Sequence, residues 1–213
     1  MLRHSDHHSD HRPGSLTLVA GRLALDFSNT ESGRGTHHHL DHLKTGLDVL
    51  TWSRHAHVLG DRGAALARKA IGADRGLELQ LVKRGKALRA TIYAINSSFA
   101  AGRKPNAKML SDLTDLHHEM FASARLMTIH GSFDWRWDIK NNPLEGMLGP
   151  LSLSALAILR NDSHSRIKQC KGLHCGWLFY DETKNNSRQW CDMAVCGNRA
   201  KASAHRERLR HGG

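Results

Sequence analysis

Cysteine is missing from the first 169 of the 213 residues, so no disulfide or thiolate metal site can hold that stretch together. No run of 18 apolar residues occurs, which excludes a membrane-spanning helix. The opening MLRHSDHHSDHRPG lacks the apolar core of a signal peptide. These absences point to a cytoplasmic protein, where paired thiols hold metal more often than they form structural disulfides. Catalytic signatures are missing too. There is no phosphate-cradling glycine-rich loop and no Gly-x-Ser-x-Gly elbow. HHEMF at His117–Phe121 starts like a zinc-protease helix, but the second histidine would fall at Ala122. With no nucleophile–base constellation to name, the expectation is that the protein is not an enzyme.

What is present is positive charge. Lys and Arg number 31 against 20 Asp and Glu, a net charge of +11 with histidine neutral. From Arg166 onward there are ten basic against four acidic residues, a net +6 in 48 residues, whereas residues 1–165 carry a net +5. A basic excess concentrated at one end favours a polyanionic partner, most simply nucleic acid.

Along the chain, residues 1–14 read as a disordered His-rich leader in which His4, His7, His8 and His11 could hold metal only loosely. SLTLVAGRLALDFSNT alternates apolar and polar residues about Gly21-Arg22 and predicts a short hairpin leading toward a helix. Residues 31–42 form a His-rich loop with His37, His38, His39 and His42. Leu43, Leu47 and Leu50 recur at helical spacing. A long helix is predicted from Leu77 to about Ala101, and another through Met109, Leu113, Leu116 and Met120. LMTIH and SFDWRWDIK predict a hairpin, with Phe133, Trp135, Trp137 and Ile139 on one face. Pro143 and Pro150 bracket the start of a last, mostly buried helix. Asp26, Asn29 and Arg89 interrupt this apolar pattern. Asn29 is placed to cap a following helix, and Asp26 with Arg89 suggests a structural ion pair rather than a ligand pocket. The expected fold is mainly helical (α+β): a multihelical region over 15–165, then a separate small module over 166–213.

That module carries every cysteine, as Cys170-x4-Cys175-x15-Cys191-x4-Cys196. Two tight turns, each supplying two soft ligands, meet the tetrahedral demand of one zinc ion. Free buried thiols or a redox disulfide pair are the alternatives, and the paired spacing favours zinc. GWLFYD and RQW predict two short strands joined at ETKNNS, and the proline-free DMAVCGNRAKASAHRERLR predicts a helix. Knuckle, hairpin and helix follow the order of treble-clef fingers, with the metal standing in for a core that so short a segment cannot build alone. His174 reads as an exposed bystander. On the helix, Arg199, Arg206 and Arg210 share one stripe and Lys201 and Arg208 another, opposed only by Glu207. These five cations, joined by Arg188 beside the metal, are the candidate nucleic-acid contacts, with Arg199 the candidate for reading a base edge.

RQWCDMAVCGNRAKASAHRERLR and CGWLFYD resemble the CGNR zinc-finger family, named for Cys196-Gly197-Asn198-Arg199. GRLALDFSNT, with LDHLKTGLDVLTW and LRATIYAI, resembles the ABATE domain that precedes this finger in bacterial proteins. The resemblance implies a stress-related transcription regulator with one structural zinc, a DNA-binding finger, and an N-terminal domain for sensing a small effector or forming a homodimer. An RNA-binding protein, a zinc-thiolate redox sensor and a protein-docking finger are the other readings of the same residues.

Overall fold

A computed structural model describes residues 12–211. The leader histidines His4, His7, His8 and His11 lie outside the described residues. Where the description begins, Pro13–Ser15 forms a helical turn with Pro13 buried. Seven α-helices and three two-stranded antiparallel pairs follow among the described residues.

The predicted N-terminal hairpin does not form. Gly21 does make a left-handed turn, at φ 75°. The segment before it is extended but unpaired as a strand, and Leu23–Ser28 after it is α1. Ala24, Leu25, Phe27 and Ser28 are all buried, so α1 shows none of the one-sided periodicity that marks a surface helix. The apparent alternation was an accident of a short helix covered on several sides. Two-residue strands β1 (Glu31–Ser32) and β2 (Leu40–Asp41) close the His-rich loop.

Helix α2 (Gly46–His55) starts at a capping box. Thr45 Oγ1 accepts from the Asp48 N–H at 3.2 Å, and Asp48 accepts from the Thr45 N–H at 2.7 Å. Helix α3 (Asp61–Ala73), unforeseen in the sequence, buries only Ala64, Ala67 and Ile71, a stripe too small in side-chain volume to stand out. Helix α4 (Arg75–Ala100) matches the predicted long helix and begins at Asp74, whose carboxylate accepts from the N–H groups of Gly76 and Leu77. It is the axis of the molecule and packs against α1, α2, α3, the next two helices and the last strand pair. Helix α5 (Ala107–Phe121) also matches expectation, capped by Asn106.

Strands β3 (Arg125–Ile129) and β4 (Ser132–Arg136) form the second predicted hairpin. Its apolar face is only partly covered: Phe133 is 75% exposed, while Trp137 beyond the strand is held by its Nε1–H donating to the Met120 carbonyl at 2.9 Å. Helix α6 (Pro143–Asn161) begins at Pro143, as Pro at a first helical turn should, but Pro150 lies inside it rather than at its start. Glycines on this helix make room for the hairpin. A Cβ at Gly149 would sit 2.5 Å from the Trp137 ring, and one at Gly146 only 2.0 Å from Ile139.

The last strand pair is β5 (Ile167–Gln169) with β6 (Leu178–Tyr180), flanking the first cysteine pair. RQW, expected to pair with β6, is not a strand. Its one ladder-like bond is Gln189 accepting from the Lys171 N–H at 3.0 Å. Helix α7 (Asn198–His211) ends the described chain. A single hydrophobic core runs from Leu16 through α1–α6 to Trp177, Leu178, Phe179 and the four cysteines. The cysteine module is therefore built onto the helical region rather than strung behind it.

Candidate metal centre and basic helix

The first cysteine turn hangs between β5 and β6, with the Cys170 N–H bonded to the Trp177 carbonyl at 2.8 Å. Reversing the chain in so few residues requires left-handed backbone, found at His174 (φ 61°) and Gly176 (φ 70°). Gly172 is required for a different reason. A Cβ there would meet Cys196 Sγ at 2.9 Å and Cys170 Sγ at 3.3 Å, so the space belongs to the sulfur cluster. Backbone N–H groups of Gly172 and Cys191 both point at Cys170 Sγ at 3.3 Å, an arrangement that stabilises a thiolate.

The second turn is capped by Asp192, whose carboxylate accepts from the N–H groups of Ala194 and Val195. Met193–Gly197 forms one wide π-type turn that carries Cys196 inward and feeds α7. At Gly197 the volume of the absent Cβ is filled by the Met193 side chain, sulfur first. Asn198 ties up a local backbone group, donating from Nδ2 to the Ala194 carbonyl at 3.1 Å.

All four sulfurs are buried, with ligand atoms within 4.8 Å of one another. Cys175 Sγ lies 3.6 Å from Cys191 Sγ, which lies 3.7 Å from Cys196 Sγ. A disulfide would need about 2.05 Å. Tetrahedral zinc at about 2.3 Å from each sulfur sets sulfur–sulfur edges of about 3.8 Å. The spacing fits the ion and not the bond. Electrostatics agree: hydrogen bonding from Cys175 and Cys191 holds the Cys170 thiol down to about 7, while its neighbours push Cys175 and Cys191 up. Four adjacent thiols cannot all ionise unless a cation sits among them, and a coordinated thiol loses its proton outright.

Two family models match the chain. One, CGNR zinc finger, covers residues 166–209; the other, ABATE, described as "Putative stress-induced transcription regulator", covers 21–162 and so most of the chain. The chain belongs to the ABATE family. It carries a CGNR zinc finger in which Cys170, Cys175, Cys191 and Cys196 are placed to hold one structural zinc. The chain matches no curated protein.

The ABATE motif residues turn out to be the sockets of the finger. Asn29 does not cap a following helix; it ends α1 and bonds to β6. Its Nδ2 donates to the Leu178 carbonyl at 2.8 Å, and its Oδ1 accepts from the Leu178 N–H at 2.9 Å, as a neighbouring strand would. The Ala20 carbonyl accepts from the Tyr180 N–H at 2.8 Å, and the Cys175 carbonyl accepts from the Gly33 N–H at 3.1 Å. Arg22 grips Asp162 with two bonds of 2.7 Å, reaches Glu182, and lies 4.1 Å over the Tyr180 ring.

The expected Asp26–Arg89 pair does not exist. Asp26 accepts from the Ala20 N–H at 2.9 Å, and burial raises its carboxyl to about 6 against the pull of backbone donors at Ala20 and Val19. Arg89, almost fully buried, instead forks onto Asp41 at 2.7 and 3.0 Å and reaches Glu31 at 3.1 Å. Burial alone would raise the Asp41 carboxyl, but Arg89 and Lys86 overcome it and hold it well below the usual carboxylate range. Asp41 and Glu31 were hidden in a loop that reads as merely His-rich.

Arg188 has a structural task rather than an outward one. Its guanidinium lies 4.4 Å over Phe179 and donates to the carbonyls of Val19, Trp190 and Cys191. Asp181, unremarked in the sequence, organises the same loop. Fully buried, it accepts from Lys168 Nζ at 2.6 Å, from Thr183 Oγ1 at 2.6 Å and from the Arg188 N–H at 2.8 Å. The five cations of α7 are placed differently. Arg199, at the base, is half-buried, whereas Lys201, Arg206, Arg208 and Arg210 are exposed. At 100° per residue, Lys201 and Arg208 lie nearly opposite the Arg199–Arg206–Arg210 stripe, not beside it.

Proposed function

We propose that the protein is a non-enzymatic DNA-binding transcription regulator, in which the zinc finger fixes α7 as the DNA-contacting element. The observation that carries this reading is the exposure of α7 from Lys201 to Arg210 with basic stripes on two opposite sides. A helix lying in a major groove has a phosphate backbone along each flank, and cations on both sides can meet both strands. Fourteen residues give a helix of about 21 Å, enough to reach across several base pairs. Lys201, Arg206, Arg208 and Arg210 act on phosphates, and Arg199, steadied at the metal-anchored end, is the residue for a base edge. Family membership supports the regulatory part of this reading. The N-terminal helices then carry sensing or chain pairing. Burial of all four cysteines weighs against a thiolate redox sensor, because oxidant needs an accessible sulfur.

The test is duplex DNA affinity across a salt series. Each phosphate contact removed by Arg206→Ala or Arg210→Ala should flatten the log–log slope by about one. Zinc-loaded protein with all five cations replaced by alanine should lose most of its affinity. Equal binding by that variant would overturn the proposal, and stronger binding to RNA than to duplex DNA would move it to the RNA reading.

A further inference from the structure

The His-rich loop comes to rest on the finger. Gly33 anchors it through the Cys175 carbonyl and sits at φ 60°, where a Cβ would be only 2.4 Å from the His38 carbonyl oxygen. Thr36 then locks the turn, its N–H and Oγ1 both donating to the Gly33 carbonyl and its Oγ1 accepting from the His38 N–H at 3.1 Å. This delivers His37 and His38 beside His174. Their ring centroids are 4.1 Å (37–38), 4.6 Å (38–174) and 5.2 Å (37–174) apart. His174 occupies left-handed backbone, which a non-glycine residue adopts at a cost. The two remaining loop histidines are engaged elsewhere, His39 with Glu31 at 2.9 Å and His42 with Ser32 at 3.2 Å.

We propose that His37, His38 and His174 form a second metal site, separate from the cysteine centre, for a borderline divalent ion such as Ni2+ or Zn2+. Imidazole nitrogen is the donor these ions favour. The three ligand atoms already lie within 4.8 Å of one another. Metal–nitrogen bonds of about 2.1 Å put nitrogens about 3.4 Å apart in a tetrahedral zinc site and about 3.0 Å apart at neighbouring positions of a square-planar or octahedral nickel site, so closure takes about 1.8 Å of movement at most. Rotation of the exposed His37 and His38 side chains supplies it without moving the anchored backbone. Three protein ligands at a partly exposed site leave remaining positions to water, so this ion exchanges where the finger zinc does not. Its ligands come from both modules, two from the N-terminal loop and one from the finger turn, next to Cys175. Binding therefore staples the loop to the finger.

The test uses full-length protein with its finger zinc retained and His4, His7, His8 and His11 changed to alanine, so that the leader cannot contribute. Titration with Ni2+, followed by calorimetry and elemental analysis, should show one Ni2+ taken up per chain with the single zinc unchanged. H37A/H38A should weaken that binding by about tenfold or more, as loss of metal-site contacts does. His174→Asn, which keeps a residue tolerant of left-handed backbone, should do the same while retaining the zinc. Failure to bind Ni2+, or equal affinity in both variants, overturns the site.

Discussion

Replacing Asn29 with alanine should loosen the finger from the helices without touching a metal ligand. In an antiparallel strand the N–H and C=O of one residue point to the same side. Both groups of Leu178 point at Asn29, away from β5, so no strand replaces the lost amide. Asn29 is 3% exposed and Leu178 fully buried, so water does not reach the orphaned groups either. Each buried, unsatisfied backbone group costs about 1–3 kcal/mol. The pair therefore amounts to about 2–6 kcal/mol, a large share of the roughly 5–15 kcal/mol that a domain has in total. Urea denaturation at fixed zinc, followed by far-UV circular dichroism, reads this as a lower midpoint at unchanged zinc stoichiometry. Asn29→Asp should fare no better, because it keeps the acceptor for the Leu178 N–H but turns a carboxylate oxygen toward the Leu178 carbonyl. A loss below about 1 kcal/mol in N29A, or wild-type stability in N29D, would refute the strand-mimic role.

Zinc removal by chelation, or Cys191→Ser, should lower the melting of the whole helical signal in one transition, since the core is continuous; two separated transitions would show an independent finger. Arg89→Met should cost about 2–4 kcal/mol by leaving Asp41 and Glu31 short of their buried partner, somewhat under the usual loss because Lys86 still reaches Asp41. The depressed Asp41 carboxyl gives stability that is present at neutral pH and lost as pH falls through its folded value, so Arg89→Met should also flatten the acid limb of the stability curve. Asp26 works with the opposite sign. Its carboxyl is raised from 3.8 to about 6, so the folded state holds a proton the unfolded chain has released, and stability falls as pH rises between those values. Asp26→Asn, which still accepts the Ala20 N–H, should remove that slope and be up to about 3 kcal/mol more stable than wild type at pH 7, measured by denaturation across pH.

Elements with large, evenly spaced apolar residues were legible from sequence: α4 and α5 by their stripes, β3–β4 by alternation. The metal ligands were legible because their spacing is the chemistry. Elements lacking a distinctive side chain were not. The stripe of α3 is two alanines and an isoleucine, and α1 is short and covered on several sides. Pro150 looked like a helix boundary, yet it lies within α6 and beside the glycines that seat Trp137 and Ile139. Polar roles failed for a different reason. Asp26, Asn29 and Arg89 could be flagged as interruptions, but their partners are long-range: Leu178 stands 149 positions from Asn29, and Asp41 48 from Arg89. A local pattern carries no record of such pairings. The charges of Arg188 and Asp181 likewise mark the surface in sequence, yet in the fold Asp181 is fully buried and Arg188 is half-buried on the carbonyls of Val19, Trp190 and Cys191.

The metal centre and the helical region consequently cannot have independent stabilities. Ion binding at a four-cysteine site supplies about 10–16 kcal/mol in small zinc modules, where it drives folding of the module alone. Here part of that free energy goes into surfaces the finger shares with α1 and α4, through Leu178, Tyr180 and Cys175. Linkage makes this reciprocal: whatever tightens the seat around Asn29, Ala20 and Gly33 must raise zinc affinity by the same free energy that zinc contributes to the seat. A ligand of the helical region can therefore reach α7 without touching it, because α7 starts at the turn that holds Cys196. Loosening the seat weakens the hold on Cys196, and with it the fixed orientation of Arg199 and the cations beyond.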